Sequence, residues 1–307
     1  MSPLRGIALK ICSVCVFMAM ASFVKAASVE VPPGQAVFFR SFFALPIIFG
    51  WLGLRRELRH GWKTANPMGH VWRGLVGTTA MGLGFTGLAL LPLPEVTAIG
   101  YAAPLLVVVF AAMFLGENVR AFRLSAVVLG MIGVLIVLSP RLSVGADIDT
   151  SQKLGAVVVL MGAVMAALAQ VFVRKLVQTE KTAAIVFWFT ITSSVLSLAT
   201  VPWGWVWPSG QVAFMLVLAG LLGGVGQIFL TSSYRFADAS LIAPFDYTSM
   251  ILALIVGYFV FDEVPTGTML LGASIVILAG ILIIWRERQL GLQRARQRKA
   301  MGHSGGK

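Results

Sequence analysis

Ten apolar runs of about 20 residues, parted by short polar breaks, limit what this chain can fold into: residues 6 to 25, 34 to 54, 72 to 91, 95 to 115, 121 to 139, 154 to 174, 182 to 202, 211 to 233, 240 to 261 and 267 to 285. About 20 apolar residues in a helix cross a ~30 Å hydrocarbon layer, so the chain is expected to be an all-α membrane protein with ten transmembrane helices. A barrel would need alternating strands of ~10 residues. The Gly and Ala inside these runs suit helices packed on helices instead. Only 12% of the residues are charged and the mean hydropathy is +0.89, against roughly a quarter charged in soluble domains. Arg5, Lys10 and "AMA" at 19 to 21 imitate a signal peptide, but removing run one would leave nine spans and break the symmetry described next.

At an offset of 146, residues 74 to 117 fall on 220 to 263, matching Gly74 with Gly220, Leu75 with Leu221, Gly77 with Gly223, Tyr101 with Tyr247, Leu106 with Leu252 and Glu117 with Glu263. "FLGE" and "VFDE" end matching runs, and Gly-punctuated spans follow both. The chain therefore reads as five helices plus five: residues 1–140, an external linker 141–153, residues 154–286 and a basic tail 287–307. An odd-numbered repeat inserts upside down the second time, an arrangement typical of secondary transporters.

The +12 net charge is distributed by side. With the N-terminus inside, 19 of the 24 basic residues fall on cytoplasmic segments, Arg73 and Arg235 among them, and the opposite side holds Lys25, Arg40, Arg141 and Lys153. This positive-inside bias places both termini in the cytoplasm and explains the basic tail as an orientation signal touching anionic headgroups, without nucleic acid as a partner. Cys12 and Cys15 share a face of an apolar helix with no second pair, and the histidines fall outside the runs, so no metal or cofactor is expected.

The stretch "GLGFTGLALLPLPEVTAIGYAAPLLVVVFAAMFLGENVRAFRLSAVVLGMIGVLIVLSP" (82 to 140) resembles the end of an EamA domain of the drug/metabolite transporter superfamily, and the second half resembles another copy. The resemblance implies a ten-helix inner-membrane transporter with a central cavity formed by spans one, three, four, six, eight and nine, and a small-molecule substrate. It leaves a homodimer open. The opening half, with "LKICSVCVFMAMASFVK" and "PPGQAVFFRSFFALP", looks most like the proteobacterial riboflavin uptake proteins, and the superfamily also carries amino acids and drugs. The second copy departs from the pattern: span nine has "YTSMIL" where span four has "YAAPLL", with Pro244 upstream of its tyrosine.

Candidate substrate contacts are polar or aromatic residues on inward faces. Gln227 shares a face of span eight with Gly220, Gly223, Gly224 and Thr231, and Gln170 shares one of span six with Ala163, Ala166, Ala167 and Arg174. These faces read either as cavity walls or as interhelical bonding surfaces. Tyr101 and Tyr247 read either as rings that stack a planar ligand from both sides, which their depth favours, or as interface anchors near helix ends, with Trp188 and Phe39 as further stacking surfaces. Arg40 and Lys25 either snorkel to water or form a positive outer vestibule suited to an anionic or electron-rich substrate. Asp246, aligned with Gly100, is the costliest placement; it reads as a substrate contact, a proton carrier, or a structural partner of Arg235 or a hydroxyl.

An enzyme is not expected. The sequence has no HExxH pair, no nucleophile elbow, no second intramembrane carboxylate beside Asp246 and no phosphate-binding G-x-x-x-x-G-K-[ST] loop. A scramblase or receptor-like bundle remains the reading from another class.

Overall fold

Prolines decide which apolar runs stay whole. The computed structural model describes residues 3–58, 60–115, 121–142, 150–236 and 243–304, and every regular element in them is helical. Run one is a single helix, α1 (Pro3–Ala27), whereas run two divides into α2 (Pro33–Phe42) and α3 (Leu45–Leu54). Pro46 stands in the first turn of α3; its ring lacks an N–H and collides with the carbonyl four residues back, so α2 stops at Phe42. Run three is α4 (Pro67–Leu90), capped by Asn66, whose Oδ1 accepts from the Gly69 N–H at 2.9 Å. Run four breaks as run two does: Pro104 faces Gly100, giving α5 (Leu93–Gly100) and α6 (Ala102–Leu115) on either side of Tyr101.

The remaining runs are less interrupted. Runs five to eight are single helices, α7 (Ala121–Leu142), α8 (Thr150–Val177), α9 (Thr182–Leu198) and α10 (Gly210–Phe236). Run nine opens as a 3-10 turn, Ala243–Tyr247, and continues as α11 (Thr248–Phe261). Its Pro244 stands in the first turn, where a missing N–H costs nothing, and the change from 3-10 to α geometry falls after Tyr247 without a proline four residues on to force it. The last helix, α12 (Gly267–Ser304), continues beyond its apolar run through residues read from sequence as a tail.

Seven helical segments among the described residues are long and apolar enough to cross a membrane, matching runs one, two, four, five, six, eight and ten. Thr182–Leu198 and Phe245–Phe261 are shorter apolar helices in runs seven and nine. The outward surface is oily: Leu135, Val195, Ile251, Phe259 and Leu278 are each more than half exposed, as suits side chains facing lipid rather than water.

The main contacts run α1 along α10, α4 along α8 and α7 along α12, while α9 packs against both α2 and α4 and α6 packs on α8. One buried cluster joins Tyr101, Leu105, Val134, Ala167, Tyr247 and Val276, and another joins Val24, Val37, Phe85, Leu216 and Ala253. α7 and α12 cross at a reciprocal glycine contact: a Cβ at Gly133 would meet the Gly272 carbonyl at 2.8 Å, and one at Gly272 would meet the Gly133 carbonyl at 2.6 Å. Small residues of this kind let backbones approach closely. Gly272→Ala is expected to destabilise by about 1–3 kcal/mol, read as a lower Tm in detergent; an unchanged Tm would contradict the close approach.

Candidate functional site

Spans four and nine and α1 meet around the candidate carboxylate. Asp246 is the next-to-last residue of the 3-10 turn, and its Oδ1 lies 2.6 Å from Lys10 Nζ on α1. Lys10 is 3% exposed and Asp246 38% by side chain, so the acid faces open space while its base is enclosed. The Asp246 carbonyl accepts from Ser249 Oγ at 2.7 Å, and Ser249 Oγ is 2.7 Å from the Tyr101 hydroxyl. The acid thus has a charged partner that sequence reasoning did not use. The Arg235 side chain, proposed as that partner, lies outside the described residues. The missed signal was a lone lysine eight residues into an apolar helix, which in a chain with one intramembrane aspartate is its natural counter-charge.

Tyr101 and Tyr247 are both buried, and their rings meet edge to face with centroids 5.2 Å apart and planes at 73°. In this conformation they touch each other and no ligand is sandwiched between them. Tyr247 also fills the space left by Gly280 of α12, where a Cβ would overlap its hydroxyl.

The small-residue faces divide differently from expectation. A Cβ at Gly220 would meet the Phe39 carbonyl at 2.7 Å, and one at Gly224 would meet the Ala44 carbonyl at 3.1 Å. The glycine part of the span-eight face is therefore a seat for span two and not a cavity wall, because glycine lets two backbones touch. Gln227 lies 3.5 Å from Thr231 Oγ1 on its own helix, and Gln170 is exposed on α8. Phe39 packs against Phe43, with centroids 5.6 Å apart. Trp188 donates its indole N–H to the Trp62 carbonyl at 2.9 Å and lines a hollow of about 580 Å³ with Trp62, Lys63, Thr64 and Phe187, at the end of the bundle where the chain starts.

Each end of the bundle is tied by carboxylates. At the N-terminal end, buried Glu180, in the turn between α8 and α9, accepts from Thr64 Oγ1, Ala65 N–H and Asn66 N–H at 2.8, 2.8 and 2.9 Å and lies 3.8 Å from His70. At the opposite end Glu30, in the turn after α1, accepts from the N–H and hydroxyl of Ser209 ahead of α10. Glu30 and Glu180 stand 150 residues apart, four off the repeat offset, so a fixed-offset comparison passes over them. Lys25 does not form a positive vestibule: its Nζ lies 2.8 Å from Glu263 Oε1 and donates to the Leu91 carbonyl at 2.8 Å. Glu263 Oε2 also accepts the Leu93 N–H at 2.8 Å. Glu117, the repeat counterpart of Glu263, and most of the linker lie outside the described residues.

Arg40 neither snorkels nor opens to a vestibule. It is 4% exposed, and Arg73, counted from sequence among the cytoplasmic charges, is 8% exposed. Their guanidinium carbons lie 5.8 and 4.0 Å from the Phe189 ring centroid.

The EamA-like transporter family matches residues 4–139 and 153–286. An S-adenosylmethionine uptake transporter of Rickettsia felis is 29% identical over 259 residues, 83% of this chain and 84% of that protein. A riboflavin transporter of Rhizobium johnstonii is 28% identical over 262 residues, 83% of this chain and 82% of its own. A pseudopaline exporter of Pseudomonas aeruginosa is 28% identical over 279 residues, 91% and 95% of the two chains. A solved crystal structure superposes with a TM-score of 0.65 at 20% identity, covering 93% of this chain and 98% of that one, which is a likeness of fold.

Proposed function

Because the chain belongs to the EamA-like transporter family, whose relatives here are transporters rather than enzymes, we propose that it is a secondary transporter moving a small organic metabolite across the bacterial inner membrane by alternating access. It is a multi-pass membrane protein with a small-molecule substrate. The proposal adds the two inverted repeats, residues 1–140 and 154–286, with both termini cytoplasmic.

The observation behind this reading is the helix pairing. Exchanging the halves turns the α1 with α10 contact, spans one and eight, into spans six and three, which is the observed α8 with α4 contact. The same exchange maps spans five with ten and two with seven onto themselves, as observed in α7 with α12 and α2 with α9. It also exchanges Glu30 capping span eight with Glu180 capping span three. A fold whose contacts survive exchange of its halves has two equivalent ways to pack, one for each side of the membrane.

The gates follow from the same geometry. Span one is tied to span nine at both ends, by Lys10 with Asp246 on the proposed cytoplasmic side and by Lys25 with Glu263 on the outer side. Opening either side separates one of these pairs. A Lys25→Cys, Glu263→Cys double variant, bridged by a short bis-methanethiosulfonate cross-linker that spans the length of the replaced side chains, is expected to lose transport and regain it on reduction. Transport at the reduced rate while cross-linked would contradict an outer gate at this point.

Riboflavin is the first substrate choice from sequence, and S-adenosylmethionine stands beside it, since relatives at 28% and 29% identity do not separate them. Vesicles containing the chain are expected to accumulate one labelled compound saturably, and the side of accumulation gives the direction. If neither moves above protein-free vesicles although the protein is inserted and folded, both choices fall. Within this reading Tyr101, Tyr247, Asp246 and Gln227 line the path between spans four, eight and nine, Gln170 stands on the facing wall, and Phe39 and Trp188 support it.

A further inference from the structure

Among the described residues, the buried side-chain nitrogen and oxygen atoms without a hydrogen-bond partner are Arg40 Nε, Ser41 Oγ, both His70 nitrogens, Arg73 Nε and Arg73 Nη1. All of them lie on α2 or the first two turns of α4. Neither arginine makes an ion pair with a described carboxylate. Glu180, which approaches His70 one turn before Arg73, is occupied by Thr64, Ala65 and Asn66.

Two buried guanidiniums share one ring. Both lie against Phe189, so their carbons are within ~10 Å of each other and repel across a region of low dielectric. A single aromatic ring returns less than the desolvation of two guanidinium ions removes. The fold also makes room for them. A Cβ at Gly77 would overlap Arg73 Nη1, and a Cβ at Gly223 would meet Arg40 Nε at 2.9 Å. Gly77 and Gly223 are repeat counterparts, so spans three and eight each keep a glycine beside one guanidinium.

We infer that Arg40 and Arg73, flanking Phe189 between spans two, three and seven, form a binding site for an oxyanion, the carboxylate or phosphate group of the transported metabolite. The role in transport rests on the function proposed above, whereas the binding does not. The planar guanidinium fork matches a carboxylate or phosphate in two-point contact, which a lysine does not reproduce. A ligand entering this site supplies the negative charge and the acceptors that the unpartnered N–H groups lack. An uncharged metabolite would leave both ions uncompensated, so the site selects substrates carrying an acidic group; of the two compounds named above, S-adenosylmethionine carries a carboxylate and riboflavin carries none, so the site favours the former.

The test uses the full-length protein in detergent, with unfolding followed by tryptophan fluorescence. Inorganic phosphate and succinate are titrated separately against sodium chloride of equal ionic strength. Phosphate or succinate is expected to raise Tm with the logarithm of its concentration, by roughly 5 °C at about 100 times Kd, and chloride is not. Arg40→Gln and Arg73→Gln are each expected to raise the concentration needed for a given Tm rise at least tenfold while leaving the unliganded Tm equal to or above wild type, since each removes a buried unpaired charge. Arg40→Lys and Arg73→Lys retain the charge, fold, and weaken binding by a smaller factor. The inference is overturned by an absence of this rise beyond the chloride control in wild type, by its persistence in both glutamine variants, or by an unliganded Tm that falls in both, which would make the guanidiniums structural. Repeating the titration in nanodiscs with and without phosphatidylglycerol separates the sources: loss of the phosphate response only with the anionic lipid assigns the site to a lipid headgroup and removes the substrate role. Intact anion binding without uptake of riboflavin or S-adenosylmethionine would remove those substrates and keep the site; uptake without any anion effect would do the reverse.

Discussion

Asp246→Asn is expected to destabilise the protein by about 3 kcal/mol and to cost far more than Lys10→Met. Removing one partner of a buried ion pair typically costs ~3–5 kcal/mol, because the other charge stays in a poorly solvated place. Here the two partners differ in exposure, at 3% for Lys10 and 38% for Asp246. Taking away the acid leaves an enclosed ammonium without the carboxylate 2.6 Å from it, whereas taking away the base leaves a carboxylate that already reaches open space. The double variant Lys10→Met, Asp246→Leu should recover most of the stability lost in Asp246→Asn. Thermal unfolding of the four proteins measures this cycle, and equal effects of the two single changes would show that the pair is not enclosed as described. Transport separates the structural role from a coupling role. If the stable double variant moves substrate at the wild-type rate with the same protonophore sensitivity, Asp246 is structural only.

The second large effect is expected at Glu180. Its carboxylate holds three hydrogen bonds of 2.8 to 2.9 Å from the segment entering α4, and bonds to a charged group contribute roughly 1.5–3 kcal/mol each, without simple addition. Glu180→Ala is expected to cost about 3 kcal/mol or more and to loosen the segment at 64 to 66, while Glu180→Gln, still able to accept, should cost less. Burial pushes the Glu180 carboxyl up, but the bonds from Thr64, Ala65 and Asn66, with nearby His70, outweigh it and hold the group below its ordinary 4.5. A depressed acid contributes stability that is present above 4.5 and is lost as pH falls through the folded value. Burial is the first cause at His70 as well and lowers it from 6.5 despite Glu180, so the unfolded chain takes up that proton first and stability begins to fall below 6.5. A Tm profile against pH should show both losses in wild type, and Glu180→Gln should flatten the lower one. A wild-type profile flat from 7 to 3 would refute the clamp.

The prolines made the breaks in spans two and four legible, because a missing N–H and a ring clash act on the chain's own preceding turn. The small-residue faces were legible as packing surfaces but not by partner. Gly220 and Gly224 read from sequence either as cavity wall or as helix-facing surface, and they seat span two. A glycine permits close approach to any backbone, and a single helix carries no record of which one arrives. Tyr101 and Tyr247 were found as repeat counterparts, yet their ring contact depends on how two broken helices lean together.

The amino-acid order alone determined the membrane environment, the helical class and the number of apolar runs, since these follow from hydropathy over one helix length. Tertiary structure decided which charges meet. Lys10 with Asp246, Lys25 with Glu263, and Arg40 beside Arg73 join residues from 33 to 238 positions apart in sequence. A charge within an apolar helix states that compensation is needed somewhere. Only the packing of the helices, acting over a few ångströms where Coulomb energy is large, states where it is found or, at the two arginines, left for a ligand to supply.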